Sequence, residues 1–377
     1  MATPRVPRSN PAKPCKGDPR APRSNPAKPY KGDPNNHLEI YCDGFLEVLG
    51  DDAKVTKLVS TDAHEGPVYV RGEDAIYFTT LPVDVKIPIE GYKNVRIRRF
   101  SLRGLSGDPV ENQKYLSTVR NPSNMANGMT LDLAGNLIIC EQGTRSEPAA
   151  IARLDLRSGA YEKLVEEWFG LPFNSPNDVV VKSDGSIWFT DPCYGFFQGF
   201  KDSPMVGSYV YRFDPSNLSL SVVADTFNRP NGLAFSPGEE SLYINDSAAI
   251  QGSGPYRPDL PHDIWAFDLT DDGKHLRNRR LIAVVTPGIP DGLKVDSEGR
   301  IYSSSQSGVQ VFTPHGDLLG QILVPNVANF TFGGVNNDTI FMMADTAIWS
   351  ARLKAKGAST RPIDQTHPGS QGGKESP

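Results

Sequence analysis

The sequence predicts an all-β fold, a six-bladed β-propeller with four-stranded antiparallel blades around a central channel. Three observations carry that expectation. A polar residue beside Gly, an apolar run, a turn containing Gly or Asp and a second apolar run recur along the chain in six copies. The copies stand roughly 40–60 residues apart, the spacing of propellers and solenoids. The runs are short and rich in β-branched and aromatic residues, and 35 Gly and 32 Pro interrupt them too often for a helical protein.

Clear copies run from Asn127-Gly128 through Gly135 to Cys140 and from Asn177-Asp178 through Asp184-Gly185 to Thr190. Two more run from Asn231-Gly232 through Gly238 to Ile244 and from Asp291-Gly292 through Gly299 to Ser303. Weaker ones run from Glu65-Gly66-Pro67 to Phe78 and from Asn329 through Gly333 to Met342. Each copy supplies two inner strands, and the text before the next copy supplies two outer ones. Val95–Phe100, Tyr209–Phe213, Ile264–Phe267 and Gly308–Phe312 have the composition of such outer strands. Tyr161–Trp168 is expected to form one or two helical turns. A β-sandwich would account for short strands but not for the repeated polar start, whereas radial repetition accounts for both. The segment from His37 to Gly50 is expected to add a strand to the last blade and close the ring.

Three regions follow. Residues 1–35 read as a disordered, Pro-rich arm, because Pro7 to Pro19 is repeated at Pro22 to Pro34 with only Cys15 exchanged for Tyr30. Such text lacks the apolar groups that offset ordering entropy. Residues 36–355 form the propeller, and 356–377 read as a disordered tail.

The charge balance, 39 Lys+Arg against 44 Asp+Glu for a net −5, gives no basic footprint for nucleic acid and no cluster for a membrane surface. No apolar stretch approaches the roughly 20 residues of a membrane span, and no h-region follows the N-terminal charges. A cytoplasmic monomer or weak homodimer is the expectation. The four cysteines show no C-x-x-C spacing, and free thiols in a reducing compartment fit them.

In a propeller, equivalent positions on the innermost strands face the axis, so Glu65, Asn127, Asn177, Asn231, Asp291 and Asn329 should form a ring at one mouth of the channel. Asn-Gly and Asp-Gly are also turn dipeptides, and repetition of blades alone would repeat them. Glu65-Gly66-Pro67 fits that second reading badly, since Glu is not a preferred turn residue. Two carboxylates among amide oxygens make a hard cage that balances a divalent charge. It suits Ca2+ first, Mg2+ or Mn2+ next, and Zn2+ least, because the ring holds no Cys or His.

The segments His64-Glu65-Gly66-Pro67, Asn127 to Asp132, Ser175 to Pro192, Arg229 to Pro237 and Pro290 to Gly299 occur in an order that resembles the SMP-30/gluconolactonase family, over about residues 40–355. The resemblance implies a calcium-dependent six-bladed propeller that hydrolyses lactones. It implies Glu65, Asn177, Asn231 and Asp291 as metal ligands, Asn127 as a substrate contact and Asp291 as the catalytic carboxylate. One departure concerns the substrate. Animal members that act on sugar lactones carry Arg two residues before the position of Asn127, where this chain has Met125. Met125 also reads as ordinary packing.

Opening a cyclic ester requires carbonyl polarisation, a nucleophile and oxyanion stabilisation. A divalent ion supplies the first and third. Asp291 would then activate water as a general base or attack the carbonyl itself, while Asn127 and Asn177 orient the carbonyl. Glu141, Asp191 and Asp246 end second strands near the rim, where each would contact substrate or satisfy loop amides. Asp178 would hydrogen-bond within the channel. Strand alternation aims His64 away from Glu65. Tyr194 to Phe200 and Ser247 to Asp263 would form an apolar rim that selects the substrate. The same site could act on an organophosphate or a secondary-metabolite lactone, and a propeller that binds partners around a structural ion is the non-enzymatic alternative.

Overall fold

A computed structural model describes residues 31–33, 37–51, 53–84, 93–250 and 254–358. They form a six-bladed propeller, five blades being four-stranded antiparallel sheets and the remaining one carrying two further strands on its outer edge. From the channel outward, the first blade is Ala63–Val70, Ala75–Thr80, Ile97–Ser101 and Leu116–Arg120. The second is Ala126–Leu131, Leu137–Glu141, Ala150–Leu154 and Tyr161–Val165, and the third Val179–Val181, Ile187–Asp191, Tyr209–Asp214 and Ser219–Ala224. The fourth is Pro230–Phe235, Ser241–Asp246, Asp263–Leu269 and Leu276–Val284. The fifth begins Leu293–Val295, Ile301–Ser305, Gly308–Phe312 and Leu318–Ile322. The sixth is Asn329–Gly333, Thr339–Met343, Ala347–Arg352 and, from the other end of the chain, Val55–Ser60.

Each second strand packs on both faces, which explains why these segments read as unbroken apolar runs rather than alternating ones. All five residues of Leu137–Glu141, of Ile187–Asp191 and of Ile301–Ser305 are buried. The core therefore lies between blades. Ile138, Cys140 and Ile151 of the second blade meet Val179, Ile187, Phe189, Tyr211 and Phe213 of the third. Burying each large side chain there contributes about 1.5–3 kcal/mol.

The repeated glycines are set by contact between blades. Gly66, Gly128 and Gly232 lie inside innermost strands rather than in turns. Gly128 donates its N–H to the carbonyl of Asn177 at 2.7 Å, and Gly292 donates to that of Ala328 at 2.8 Å. A Cβ would stand 2.3 Å from Asn127 O at Gly66, 2.4 Å from Asn177 O at Gly128 and 2.3 Å from Asn329 Oδ1 at Gly292. Each glycine thus makes room for the polar residue of the next blade. Pairing also slips at this point, between Ala63 and Val68, between Ala126 and Met129 and between Pro230 and Leu233. Such bulges re-aim side chains next to functional sites.

Several expectations need correction. The ring is closed by Val55–Ser60, which pairs with Ala347–Arg352, and not by the His37 to Gly50 segment. Leu38–Ile40 instead pairs with Gly320–Ile322 on the outside of the fifth blade. Phe45, fully buried, holds it there because Gly320 leaves space that a Cβ would take from the Phe45 ring at 2.2 Å. Of the arm, Lys31–Asp33 pairs with Leu38–Ile40 and so extends this sheet, and residues 1–30 and 34–35 lie outside the described residues. Of the tail, Lys356 to Ala358 bind the fifth blade's Val295 to Ser297 segment, and residues 359–377 lie outside the described residues. Tyr161–Val165 is a strand rather than helical turns, because its pairing with Ala150–Leu154 completes the second blade. Cys42 is disulfide-bonded, unlike the expected free thiols, while Cys140 and Cys193 are free. Among the described residues no helix is long and apolar enough to cross a membrane.

Candidate metal and catalytic centre

The bulged starts of the innermost strands bring side chains of separate blades together at one end of the channel. Glu65, from the first blade, accepts a hydrogen bond from Asn329 Nδ2 of the sixth at 2.8 Å. Glu65 and Asp291, which precedes the fifth blade, lie within hydrogen-bonding reach of each other, and Asn231 of the fourth blade also hydrogen-bonds Asp291. Asn231 Nδ2 in turn lies 3.4 Å from the hydroxyl of Tyr194. Four of the six ring positions, Glu65, Asn231, Asp291 and Asn329, are thereby joined in one network.

Asn177 and Asn127 enter by a different sign. Both side-chain oxygens are buried without a hydrogen-bond partner, as are Asp178 Oδ2 and Asn245 Oδ1. A buried acceptor left unpaired costs about 1–3 kcal/mol, so several around one channel mouth call for a donor or a cation. Backbone contacts fix this ring. Thr79 Oγ1 donates to Asn127 O at 3.1 Å, Thr190 Oγ1 to Asn231 O at 2.9 Å and Asn245 Nδ2 to Asp291 O at 2.9 Å. In each case the second strand of one blade holds the ring residue of the next.

The electrostatics are those of crowded anions. Burial, then the charge of Asp291, pushes Glu65 well above the usual carboxylate range. Burial pushes Asp291 up to about 7 against the hydrogen bonds from Asn231 and Glu65. Asp178 is raised, again by burial, with Lys294 opposing. Among the described residues neither Glu65 nor Asp291 has a Lys or Arg ion-pair partner. Buried Glu65 and half-buried Asp291 facing each other, beside the unpaired amide oxygens of Asn127 and Asn177, form a donor set that fits a divalent cation with hard-oxygen preference. Among the described residues no three His, Cys, Asp or Glu side chains group as a metal site. A cation here would have to take its remaining donors from amides.

The other candidates stand at the rim. Glu141 is fully buried and accepts from Arg120 Nη1 at 2.6 Å, Asn124 Nδ2 at 2.9 Å and Tyr161 OH at 3.0 Å. Asp246 accepts the backbone N–H of Asn228 and of Arg229, each at 2.9 Å, and Asp191 those of Asn174 at 2.9 Å and Ser175 at 2.7 Å. These three carboxylates anchor the chain leading into a ring residue. Met125 is buried with Val95 and Phe200, which is the packing role read from the sequence. His64, half-buried, holds Asp345 Oδ1 at 2.7 Å through Nδ1.

Sequence reasoning overlooked Lys294 and gave Tyr194 only a place on the rim. Lys294 Nζ lies 3.3 Å from Asn329 Oδ1. Its signal was a lone charge within Leu293-Lys294-Val295, where equivalent strands carry Val180 and Ala234. Tyr194 sits on a single helical turn, Tyr194–Phe197, that no local pattern announces.

The SMP-30/gluconolactonase/LRE-like region matches residues 63–346 of this chain. The lactonohydrolase oryL of Aspergillus oryzae is 28% identical over 82% of this chain and 73% of its own length. The gluconolactonase of Zymomonas mobilis is 28% identical over 83% of this chain and 85% of its own. Among solved structures, a gluconolactonase from Xanthomonas campestris superposes with a TM-score of 0.68 at 30% identity, covering 89% of this chain and 99% of that one.

Proposed function

From the premise that the chain belongs to the SMP-30/gluconolactonase/LRE-like family and is a lactonase-type ester hydrolase, we propose that it opens its cyclic ester at the Glu65–Asp291 centre with the help of a divalent cation, Ca2+ first. The observation that carries this reading is that Glu65, buried, and Asp291, half-buried, face each other with no Lys or Arg ion-pair partner among the described residues. A propeller serving only as a scaffold gains nothing from such repulsion.

Glu65, Asn177, Asn231 and Asp291 would hold the cation, their two charges balancing it and their amide oxygens completing its surroundings. When bound, the ion acts as a Lewis acid on the ester carbonyl and on the oxyanion that develops there. Asn127 and Asn177 orient the carbonyl through their amide groups. Asp291, raised towards neutrality by burial, accepts the proton of the attacking water. That proton passes to the ring oxygen as the acyl C–O bond breaks, leaving a hydroxy acid that releases one proton to neutral solvent. Burial of the centre lets these dipoles act without competing water. Glu141 and Asp246 hold the rim in place rather than touch the ester, since their oxygens already accept several hydrogen bonds.

Proton release from a panel of γ- and δ-lactones, with Ca2+ and then with EDTA, tests this. Turnover should stop on chelation, and Asp291→Asn should abolish it while Ca2+ still raises the thermal midpoint. Undiminished ring opening by Asp291→Asn would remove that carboxylate from the reaction.

A further inference from the structure

A cavity ≈ 350 Å³ in volume lies between the segment after the second strand of the second blade and the two segments flanking the inner strands of the third. Its lining mixes polar residues with an apolar group made by Phe173, Phe196, Met205 and three prolines, Pro148, Pro172 and Pro204. Phe173 is buried, while Phe196 and Met205 are 42% and 63% exposed. Isolated exposed apolar side chains are ordinary, but a group of them around a concavity marks a binding surface. Three of its four charged residues are already in ion pairs. Arg145 Nε meets Asp202 Oδ1 at 3.4 Å, and Glu147 accepts from Lys163 Nζ at 2.7 Å.

One helical turn touches both this cavity and the centre. Tyr194 begins Tyr194–Phe197 and reaches Asn231, a ring residue, whereas Phe196 of the same turn lines the cavity. The turn is fixed to the cavity wall, for Gly195 N–H donates to Ser175 Oγ at 2.8 Å and a Cβ on Gly195 would stand 2.6 Å from that oxygen. The volume is near the small end of ligand pockets, roughly 300–1,000 Å³. It accommodates part of a molecule whose reacting end lies elsewhere.

We propose that this cavity receives an apolar substituent, an alkyl or aryl chain carried by the lactone ring, and so selects chain-bearing lactones over unsubstituted ones. The inference rests on the Glu65–Asp291 centre being where the ring is opened. Lys201 adds a polar handle within reach of such a chain. Its ammonium, half-buried in the cavity wall, donates to Phe173 O at 2.9 Å and keeps further N–H groups for an oxygen on the substituent.

Two measurements test the proposal. The first is the ratio of kcat/KM for a butyl-substituted δ-lactone over the unsubstituted ring, in the wild type and in the Phe196→Ala/Met205→Ala double variant. At about fourfold per buried methylene, the wild-type ratio should exceed tenfold, expressed mainly in KM, and should fall to near unity in the variant. A wild-type ratio near one, or a variant ratio equal to the wild type, overturns the pocket. The second is calorimetric binding of the corresponding lactams, with and without the butyl chain, which needs no turnover. Tighter binding of the chain-bearing lactam, lost in the variant, supports the pocket even if neither lactone is hydrolysed, an outcome that would instead defeat the proposed reaction. Equal binding of both lactams overturns the pocket while leaving that reaction standing.

Discussion

Gly232 donates its backbone N–H to the carbonyl of Asp291 at 3.0 Å, and a Cβ in place of its hydrogen would stand 2.2 Å from the same oxygen. The fourth blade thus sets the position of the carboxylate assigned to catalysis by lacking a side chain. Gly232→Ala should push Asp291 off its place. Overpacking of this kind costs about 1–3 kcal/mol, a fall of roughly 3–10 °C in the thermal midpoint. Because the displaced residue is a candidate ligand, the stabilisation by added Ca2+ should shrink as well. Gly72→Ala, where no atom lies within 4 Å, is the matched control. Equal Ca2+ responses of the two variants in calorimetry would show that the glycine does not position the centre.

Removing the cation should expose the repulsion between Glu65 and Asp291 as a pH dependence. Burial raises the carboxyl of Asp291 to about 7, far above its value in an unfolded chain near 4. A folded value above the unfolded one means that the stabilising contribution is complete below about pH 4 and is lost as pH rises through about 7. After EDTA treatment the thermal midpoint should therefore decline between pH 4 and 7, and Ca2+ should restore most at the upper end. Glu65→Gln should flatten the decline, since the Glu65 carboxyl, itself raised by burial and by Asp291, no longer titrates. A midpoint that rises steadily over this range in the metal-free protein would contradict the electrostatic reading.

The propeller was legible because its period is written in local text, namely strands of five or six residues, Gly-containing turns and one polar position per copy. The ring residues were legible for the same reason, although the meaning of their glycines was not. Gly66, Gly128, Gly232 and Gly292 answer to atoms of a neighbouring blade more than 30 residues away, and no dipeptide preference encodes that. Closure was misplaced because Leu38–Ile40 and Val55–Ser60 are both short segments of mixed apolar and polar residues, and which edge each finds depends on distant partners such as Gly320 and Ala351. Lys294 and Tyr194 reach the centre through tertiary placement alone.

His64 and Asp345 join the first and sixth blades beside Glu65, and their pairing has a measurable signature. Burial lowers the His64 imidazole, but the hydrogen bond to Asp345 and the field of Glu65 outweigh it and leave the group raised. The pair thus adds stability below about pH 6.5, and loses it as pH rises through the raised value. With both side chains about a third exposed, its worth is at most about 1 kcal/mol. Asp345→Asn should move the His64 titration, followed by NMR of the imidazole, downward. Addition of Ca2+ should do the same to a smaller degree by neutralising Glu65. An unchanged His64 titration in Asp345→Asn would mean that the 2.7 Å contact does not persist in solution.

Glu141 gives the sharpest separation between a rim support and a substrate contact. Its carboxylate is fully buried and takes Arg120, Asn124 and Tyr161 at once, with the Arg120 guanidinium also lying 3.7 Å over the Tyr161 ring. Burial raises its pKa, with Arg120, Asn124 and Tyr161 opposing. Glu141→Ala would leave a cation, an amide and a hydroxyl without their shared acceptor, and breaking a buried pair in this way costs about 3–5 kcal/mol. Glu141→Gln keeps one acceptor oxygen and should cost less than half as much. If the side chain serves only to hold Asn124 and the entry to Asn127, KM for the preferred lactone in Glu141→Gln should stay within about twofold of the wild type at a temperature where both are folded, while the midpoint drops. A direct hydrogen bond to substrate would be seen in the reverse pattern, a KM raised about tenfold or more, the equivalent of about 1.4 kcal/mol, at little change in stability. That result would return Glu141 to the substrate-binding set.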